Sequence, residues 1–159
     1  MTPEEKQRRY DAALRHIEAL IDGETDAIAI LATVACELHH AFEYFNWTGF
    51  YRVVAPGLLK VGPYQGSHGC LTIPFERGVC GAAARTRQTQ LVPDVRACPH
   101  HIACSSSTLS EIVVPVLTPA GELLAVLDID SDRLAAFDAT DQASLELLCG
   151  MIGRAICGG

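Results

Sequence analysis

Residues 98–115 read CPHHIACSSSTLSEIVVP, with two cysteines and two histidines inside seven residues, then hydroxyls and a carboxylate leading into an apolar run. Three readings fit: a metal loop, a reactive thiol in polar surroundings, or a plain polar connection. Zinc on Cys98, His100, His101 and Cys104 fails on spacing. Structural zinc ligands pair two to four residues apart, with a second pair from elsewhere, and adjacent histidines do not readily face one ion. No metal is expected in this loop. A redox reading asks for an accessible thiol, a nearby acid and a second thiol within reach. Cys104 is followed by Ser105, Ser106, Ser107 and Thr108, which supply donors rather than burial. Cys70 and Cys80 adjoin glycines (Gly69-Cys70, Cys80-Gly81), where backbone can approach closely. Cys80 also stands at the start of a short helix, whose positive end favours a thiolate.

The chain has seven cysteines, an odd number that makes a poor disulfide framework and points to redox or metal chemistry in a reducing compartment. Cys36, Cys149 and Cys157 lie in helical, apolar patterns and are expected to be core fillers, since a free cysteine behaves as a small hydrophobe. Cys70, Cys80, Cys98 and Cys104 sit in the polar middle of the chain.

A second signal is ELLAVLDID (122–130). Strand side chains alternate faces, so Asp128 and Asp130 point the same way, about 7 Å apart, on the face of Leu124 and Val126. Two acids on an apolar face are costly to bury unless something cationic or hydrogen-bonding meets them. The alternative is a strand that emerges into solvent at Asp128 and turns at Asp130-Ser131. Glu111, at the start of the preceding strand, lies near the same end of the hairpin if the 119–121 turn is tight. Three converging acids would raise at least one pKa, retain a proton at neutral pH and attract an ammonium group.

The elements that must carry these groups can be read in order. Thr2-Pro3-Glu4-Glu5 is a capped helix start, with the helix running to about Ile21. A second helix follows Asp26, with Ile28, Leu31, Val34, Ala35, Leu38 and Phe42 at helical spacing. Short strands come next: WTGFYRVV, LLKVG after Pro56-Gly57, and CLTI. ERGVCGAAARTRQ is a short helix, TQLV a strand, 93–110 a long loop, EIVVPVLT and ELLAVLDID a hairpin, and a last helix starts near Asp138. Hairpins flanked by terminal helices imply an α+β fold, an antiparallel sheet covered by helices from both chain ends. With 159 residues and no repeat or composition break, residues 1–159 are expected to form one domain.

Composition removes other classes. The net charge is −7, only Lys6 and Lys60 are lysines, and no basic stripe exists to meet phosphates, so nucleic acid is not a partner. No apolar run reaches membrane-spanning length, and MTPEEKQRRYDAALRH is not a secretory leader, so a cytoplasmic location is expected.

The ordered set NWTGFY (46–51), GPYQG (62–66), Cys70, GVCG (78–81), VPDV (92–95), HIAC (101–104), SEIVVP (110–115), LDID (127–130) and FDATD (137–141) resembles the free methionine-(R)-sulfoxide reductases, which are single GAF-domain enzymes. The similarity runs over nearly the whole chain, and the spacing of Cys70, Cys80 and Cys104 matches that family's three cysteines. It implies a GAF-like fold and reduction of free methionine-(R)-sulfoxide, not of the residue within proteins, with electrons from thioredoxin. By matching position, Cys104 would be the nucleophile, Cys70 the resolving thiol that forms a disulfide with it, and Cys80 a supporting or alternative partner. Glu111, Asp128 and Asp130 match acids that bind substrate and polarise the sulfoxide oxygen. Trp47 and Tyr51 match the aromatic lining around the substrate methyl. A homodimer is implied as well.

The chemistry agrees with the residues. Sulfoxide reduction needs a soft thiolate to attack sulfur and an acid to protonate the departing oxygen. The resulting sulfenic acid must condense with a second thiol before over-oxidation, and an outside dithiol then resets the disulfide. No metal or organic cofactor is required. The family pattern is closer to PGHIACDSASNSEIVVP; in this chain His100 replaces Gly, Ser105 replaces Asp and Leu109 replaces Asn. Loss of an acid beside the nucleophile bears on rate and stereochemical strictness rather than on reaction class. The other functional reading is a non-catalytic GAF module that senses a small ligand or redox state. A sensor needs no such combination of thiols and three acids.

Overall fold

A computed structural model describes residues 1–98 and 107–158; residues 99–106, which include His100, His101, Cys104 and Ser105, and Gly159 lie outside the described residues. The first helix, α1 (Pro3–Leu20), begins with the expected capping box: Thr2 accepts from the Glu5 amide at 3.1 Å and Glu5 from the Thr2 amide at 2.7 Å. Helix α2 (Ala27–Ala41) is capped by Asp26, which accepts from the Ala29 amide at 2.9 Å.

Strands β1 (Trp47–Ala55), β2 (Leu58–Gln65) and β3 (Thr72–Pro74) follow, then α3 (Gly78–Thr86), β4 (Gln90–Val92), β5 (Ser110–Leu117), β6 (Leu123–Ser131) and α4 (Ala139–Ile156). In the stretch read as a loop, Val95–Ala97 forms one 3-10 turn. The six strands make one sheet in the order β3-β2-β1-β6-β5-β4, with every neighbouring pair antiparallel.

Register sorts the side chains between two cores. Phe50, Leu127 and Val114 are paired across three strands, as are Ile112 and Ile129 across two. All five are buried in one cluster with Ile17, Leu38, Leu148 and Ile152 of α1, α2 and α4. The helices from both chain ends therefore cover one face of the sheet, as expected. The opposite face carries Trp47, Tyr51, Val113 and Val126, packed with Val79, Cys80, Ala83 and Ala84 of α3. β6 is thus covered on both faces along most of its length, which explains why its sequence does not alternate cleanly.

The α1–α4 contact is pinned by charge. Lys6 Nζ lies 2.7 Å from Asp141 Oδ2 and 3.1 Å from Asp138 Oδ2, while Tyr10 and Tyr44 hydroxyls donate to Asp141 Oδ1 at 2.6 and 2.9 Å. Asp141 is wholly buried and fully partnered, the condition under which a buried ion pair is tolerated.

Two expectations are corrected. Leu124 does not share the face of Asp128. The register shifts between Val116 and Leu117, so that Leu117 pairs with Leu123 and the ladder resumes at Ala125. This irregularity turns Leu123 to the acid face and Leu124 toward the helical core. Of the three helical cysteines, only Cys149 is buried; Cys36 is half-buried beside His40, and Cys157 is exposed at the end of α4.

Candidate functional site

The sheet face opposite the three-helix layer gathers the acids and aromatics. Asp130 is the Cα partner of Trp47 on β1 and of Glu111 on β5, and Asp128 is the partner of Gly49 and Val113. Paired residues on antiparallel strands project to the same side, so Trp47, Glu111, Asp128 and Asp130 share one patch. Glu111 and Asp128 are each only 5% exposed, and Asp130 is partly exposed at the edge. The reading in which the strand emerges into solvent at Asp128 is therefore not the one adopted.

The acids are not independent. Cys80, Asp128, Glu111 and Asp130 form one run of titratable groups, each electrostatically coupled to the next. Burial pushes the Glu111 carboxyl well above the usual range, with the charge of Asp130 adding to it. Asp128 is raised by burial and by Glu111, and Asp130 by burial and by Asp128. Neighbouring carboxyls in a low-dielectric setting cannot all ionise, so the cluster keeps protons at neutral pH. The helix N-terminus at Cys80 suggested a thiolate. Instead Cys80 is buried, and desolvation together with Asp128 and Glu111 drives its pKa up, outweighing the helix dipole. Tyr51 is likewise raised, by burial and then by Asp128, which puts its hydroxyl within the field of the same cluster.

Aromatic residues form one wall. Trp47 stacks on Tyr51 at 5.7 Å and on Tyr64 at 5.2 Å, with interplanar angles of 20° and 19°. This stack depends on Gly49: a Cβ there would sit 2.4 Å from Tyr64 Cβ and 2.6 Å from the Trp47 ring. The indole N–H donates to the Ser67 carbonyl at 2.7 Å, which ties the 66–71 segment over the ring. Gly69 presses on the same wall, since a Cβ there would lie 2.9 Å from both the Tyr51 hydroxyl and Trp47 Cζ2. The next residue is Cys70, which is disulfide-bonded and packs against the cluster holding Trp47, Tyr51 and Cys80.

The GAF-domain family model matches residues 26–156. The chain is 39% identical over 155 residues to the free methionine-R-sulfoxide reductase of Saccharomyces cerevisiae, covering 94% of this chain and 86% of that protein. It is 37% identical over 151 residues to the Escherichia coli protein of the same name, covering 95% and 90%. The X-ray structure of the Neisseria meningitidis free methionine-R-sulfoxide reductase in complex with its substrate superposes with a TM-score of 0.89 at 44% identity, over 94% of this chain and 89% of that one. The chain belongs to the free methionine-R-sulfoxide reductases of the GAF-domain family.

Within that family's fold, Trp47, Tyr51, Cys70, Cys80, Glu111, Asp128 and Asp130 converge on one face and one side of the sheet. Cys104 lies outside the described residues. Cys98 is a free, half-buried thiol packed at the margin of the same cluster. Sequence reasoning did not single out Tyr64 or Ser67, whereas it reads Gly69 as letting backbone approach closely beside Cys70. Tyr64 and the glycines flank Cys70 within the GPYQGSHGC run, where aromatic and glycine residues spaced around a thiol were the available signal. Among the described residues, no helix is long and apolar enough to cross a membrane.

Proposed function

We propose that this chain reduces free methionine-(R)-sulfoxide to methionine, with residues 1–159 acting as one GAF unit. The observation that carries the reading is the buried Cys80–Asp128–Glu111–Asp130 chain lying beside the Trp47–Tyr51 wall, with Cys70 held against the same wall. The relatives named for this activity support it.

In this reading the substrate's methyl and sulfur sit against the aromatics, and its ammonium meets the acidic cluster. A methionine inside a polypeptide has no such ammonium, which accounts for a preference for the free amino acid. Glu111 or Asp130, holding a proton at neutral pH, donates to the sulfoxide oxygen and makes the sulfur electrophilic. The Cys104 thiolate attacks, the sulfur–oxygen bond of the substrate breaks, and the oxygen stays on Cys104 as a sulfenic acid while methionine leaves. The Cys70 thiolate then attacks the Cys104 sulfur, forming a disulfide and expelling the oxygen as water. The disulfide that Cys70 carries is consistent with this resolving role. A thioredoxin-type dithiol restores both thiols by exchange, supplying the two electrons. Cys80 supports Asp128 from directly alongside it. The protein works in the cytoplasm as a homodimer and uses no metal or organic cofactor.

The test is NADPH consumption coupled through thioredoxin and its reductase, with the R and S epimers supplied separately. Turnover of the R epimer alone, lost in Cys104→Ser, is the expected result. No turnover of either epimer by reduced protein would overturn the proposal and favour a ligand-sensing GAF module.

A further inference from the structure

The same pocket holds a ligand set that the reaction does not use as such. The Cys80 sulfur and one oxygen each from Glu111 and Asp128 all lie within 4.8 Å of one another, and all three residues are buried. In a tetrahedral zinc site, bond lengths near 2.0–2.3 Å put neighbouring donors roughly 3.3–3.8 Å apart, so only a small contraction closes the set around an ion. A second observation points the same way. Asp128 Oδ1 is buried and, among the described residues, has no hydrogen-bond partner. Buried carboxylate oxygens are normally satisfied, and an orphan beside a thiol and a second carboxyl is an open donor position.

We infer that Cys80, Glu111 and Asp128 form a binding site for a zinc-class divalent cation, which blocks the pocket rather than assisting the reaction. One thiolate and two carboxylates suit zinc in ligand type, and three protein donors leave a fourth position for water. This is a different set from Cys98, His100, His101 and Cys104, whose spacing argues against zinc. On coordination the Cys80 thiol proton, and any proton held by Glu111 or Asp128, passes to solvent, and metal–sulfur and metal–oxygen bonds replace the bonds to hydrogen. No electron transfer is involved. The bound ion would sit on the acids assigned to substrate, and the same acids would lose their role as proton donors. Cys80, being buried, would thus act as a metal sensor rather than as an exposed redox thiol.

The measurement is made without substrate, so that its failure says nothing about the reductase reading. Metal-free, reduced protein is titrated with Co²⁺, and the thiolate-to-cobalt charge-transfer absorption is followed; Zn²⁺ affinity is then read by competition with a chromophoric chelator. The expected result is one ion per chain, a charge-transfer band that Zn²⁺ abolishes, and loss of that band in Cys80→Ser. Asp128→Asn, which keeps the side-chain volume, should weaken binding by at least about tenfold. Cys98→Ser should bind as the unaltered chain does. Far-ultraviolet circular dichroism establishes that each variant is folded. Should Cys80→Ser be unfolded, Asp128→Asn alone decides. A band that persists in folded Cys80→Ser, unaltered affinity in Asp128→Asn, or no uptake at micromolar metal by the original chain would each overturn the inference.

Discussion

Glu111 and Asp130 are direct partners across β5 and β6, two carboxyl groups face to face on adjacent strands. Like charges at such positions destabilise a sheet. In this sheet they are buried and coupled, and the coupling continues through Asp128 to Cys80. A shared proton turns a repulsive pair into a bonded one, so the arrangement is tolerable only while the cluster retains protons. The same retained proton is what a sulfoxide oxygen needs. On the proposed mechanism, stability and chemistry are therefore coupled at these residues.

The first consequence concerns Glu111→Gln. The amide fills the same space but cannot give up a proton as an acid. Its kcat/KM for the free R epimer should fall on the order of 100-fold, while thermal stability at neutral pH rises by about 1 kcal/mol because a strained acid has been removed. Coupled kinetics and calorimetry on one sample check both. A fall in stability with unaltered kcat would sink the assignment.

The pH dependence of stability has a definite sign. Native Glu111, Asp128 and Asp130 are raised, with burial as the main cause, whereas in the unfolded chain they ionise near pH 4. From about pH 4 upward to their raised native values, the folded form holds more protons than the unfolded form. The cluster's contribution is thus fully present below about pH 4 and is lost as pH rises through that window. Midpoints of thermal unfolding measured against pH should show Asp128→Asn gaining on the original chain as pH increases. An advantage that shrinks with rising pH would contradict this sign.

Separate roles for the three thiols can be read from trapped intermediates. One equivalent of the R sulfoxide added to reduced Cys70→Ser should leave a sulfenic acid on Cys104 that dimedone captures. Cys80→Ser should still close its disulfide, because Cys80 is buried and its pKa is raised. Mass spectrometry distinguishes the two. Dimedone capture in Cys80→Ser but not in Cys70→Ser would exchange their roles.

Gly69 tests whether the Cys70 segment must lie against the aromatic wall. A Cβ at 2.9 Å from the Tyr51 hydroxyl and from Trp47 Cζ2 forces the segment outward. Displacements of about 1 Å can cost up to 100-fold in rate. Gly69→Ala should slow disulfide closure at least about tenfold in stopped-flow measurements, with little change in melting temperature. Equal loss of fold and of rate would mean that the glycine serves packing alone.

The Lys6 network should behave differently, as a purely structural device far from the acid face. Lys6→Ala leaves the buried Asp141 without its cation and should cost about 3–5 kcal/mol. Turnover per folded molecule should be unchanged. Denaturant unfolding and active-site titration separate the two quantities.

Much of this was legible in the residues. The capping box at Thr2, the helix start at Asp138, the helical periodicity of α2 and the strand-turn-strand of β5 and β6 are local patterns, and the elements appear within one or two residues of where those patterns put them. The period of two along LDID already placed Asp128 and Asp130 on one side, and the short 119–121 turn already brought Glu111 beside them. Local chemistry determines such features because they depend on near neighbours in the chain.

The tertiary structure decided the rest. Only the sheet order brings β1 against β6, so that Trp47 meets Asp130 and Gly49 meets Asp128. Whether Asp128 was buried or solvated depended on α3 packing over that face, and Cys80's own protonation depended first on burial and then on the acids across the gap, rather than on its helix. The shift at Val116–Leu117, which turned Leu124 away, left no mark in an apolar run whose residues suit either face. Burial and electrostatic coupling arise from residues distant in sequence. A linear reading therefore names the participants, and the packing of the two sheet faces fixes their charge.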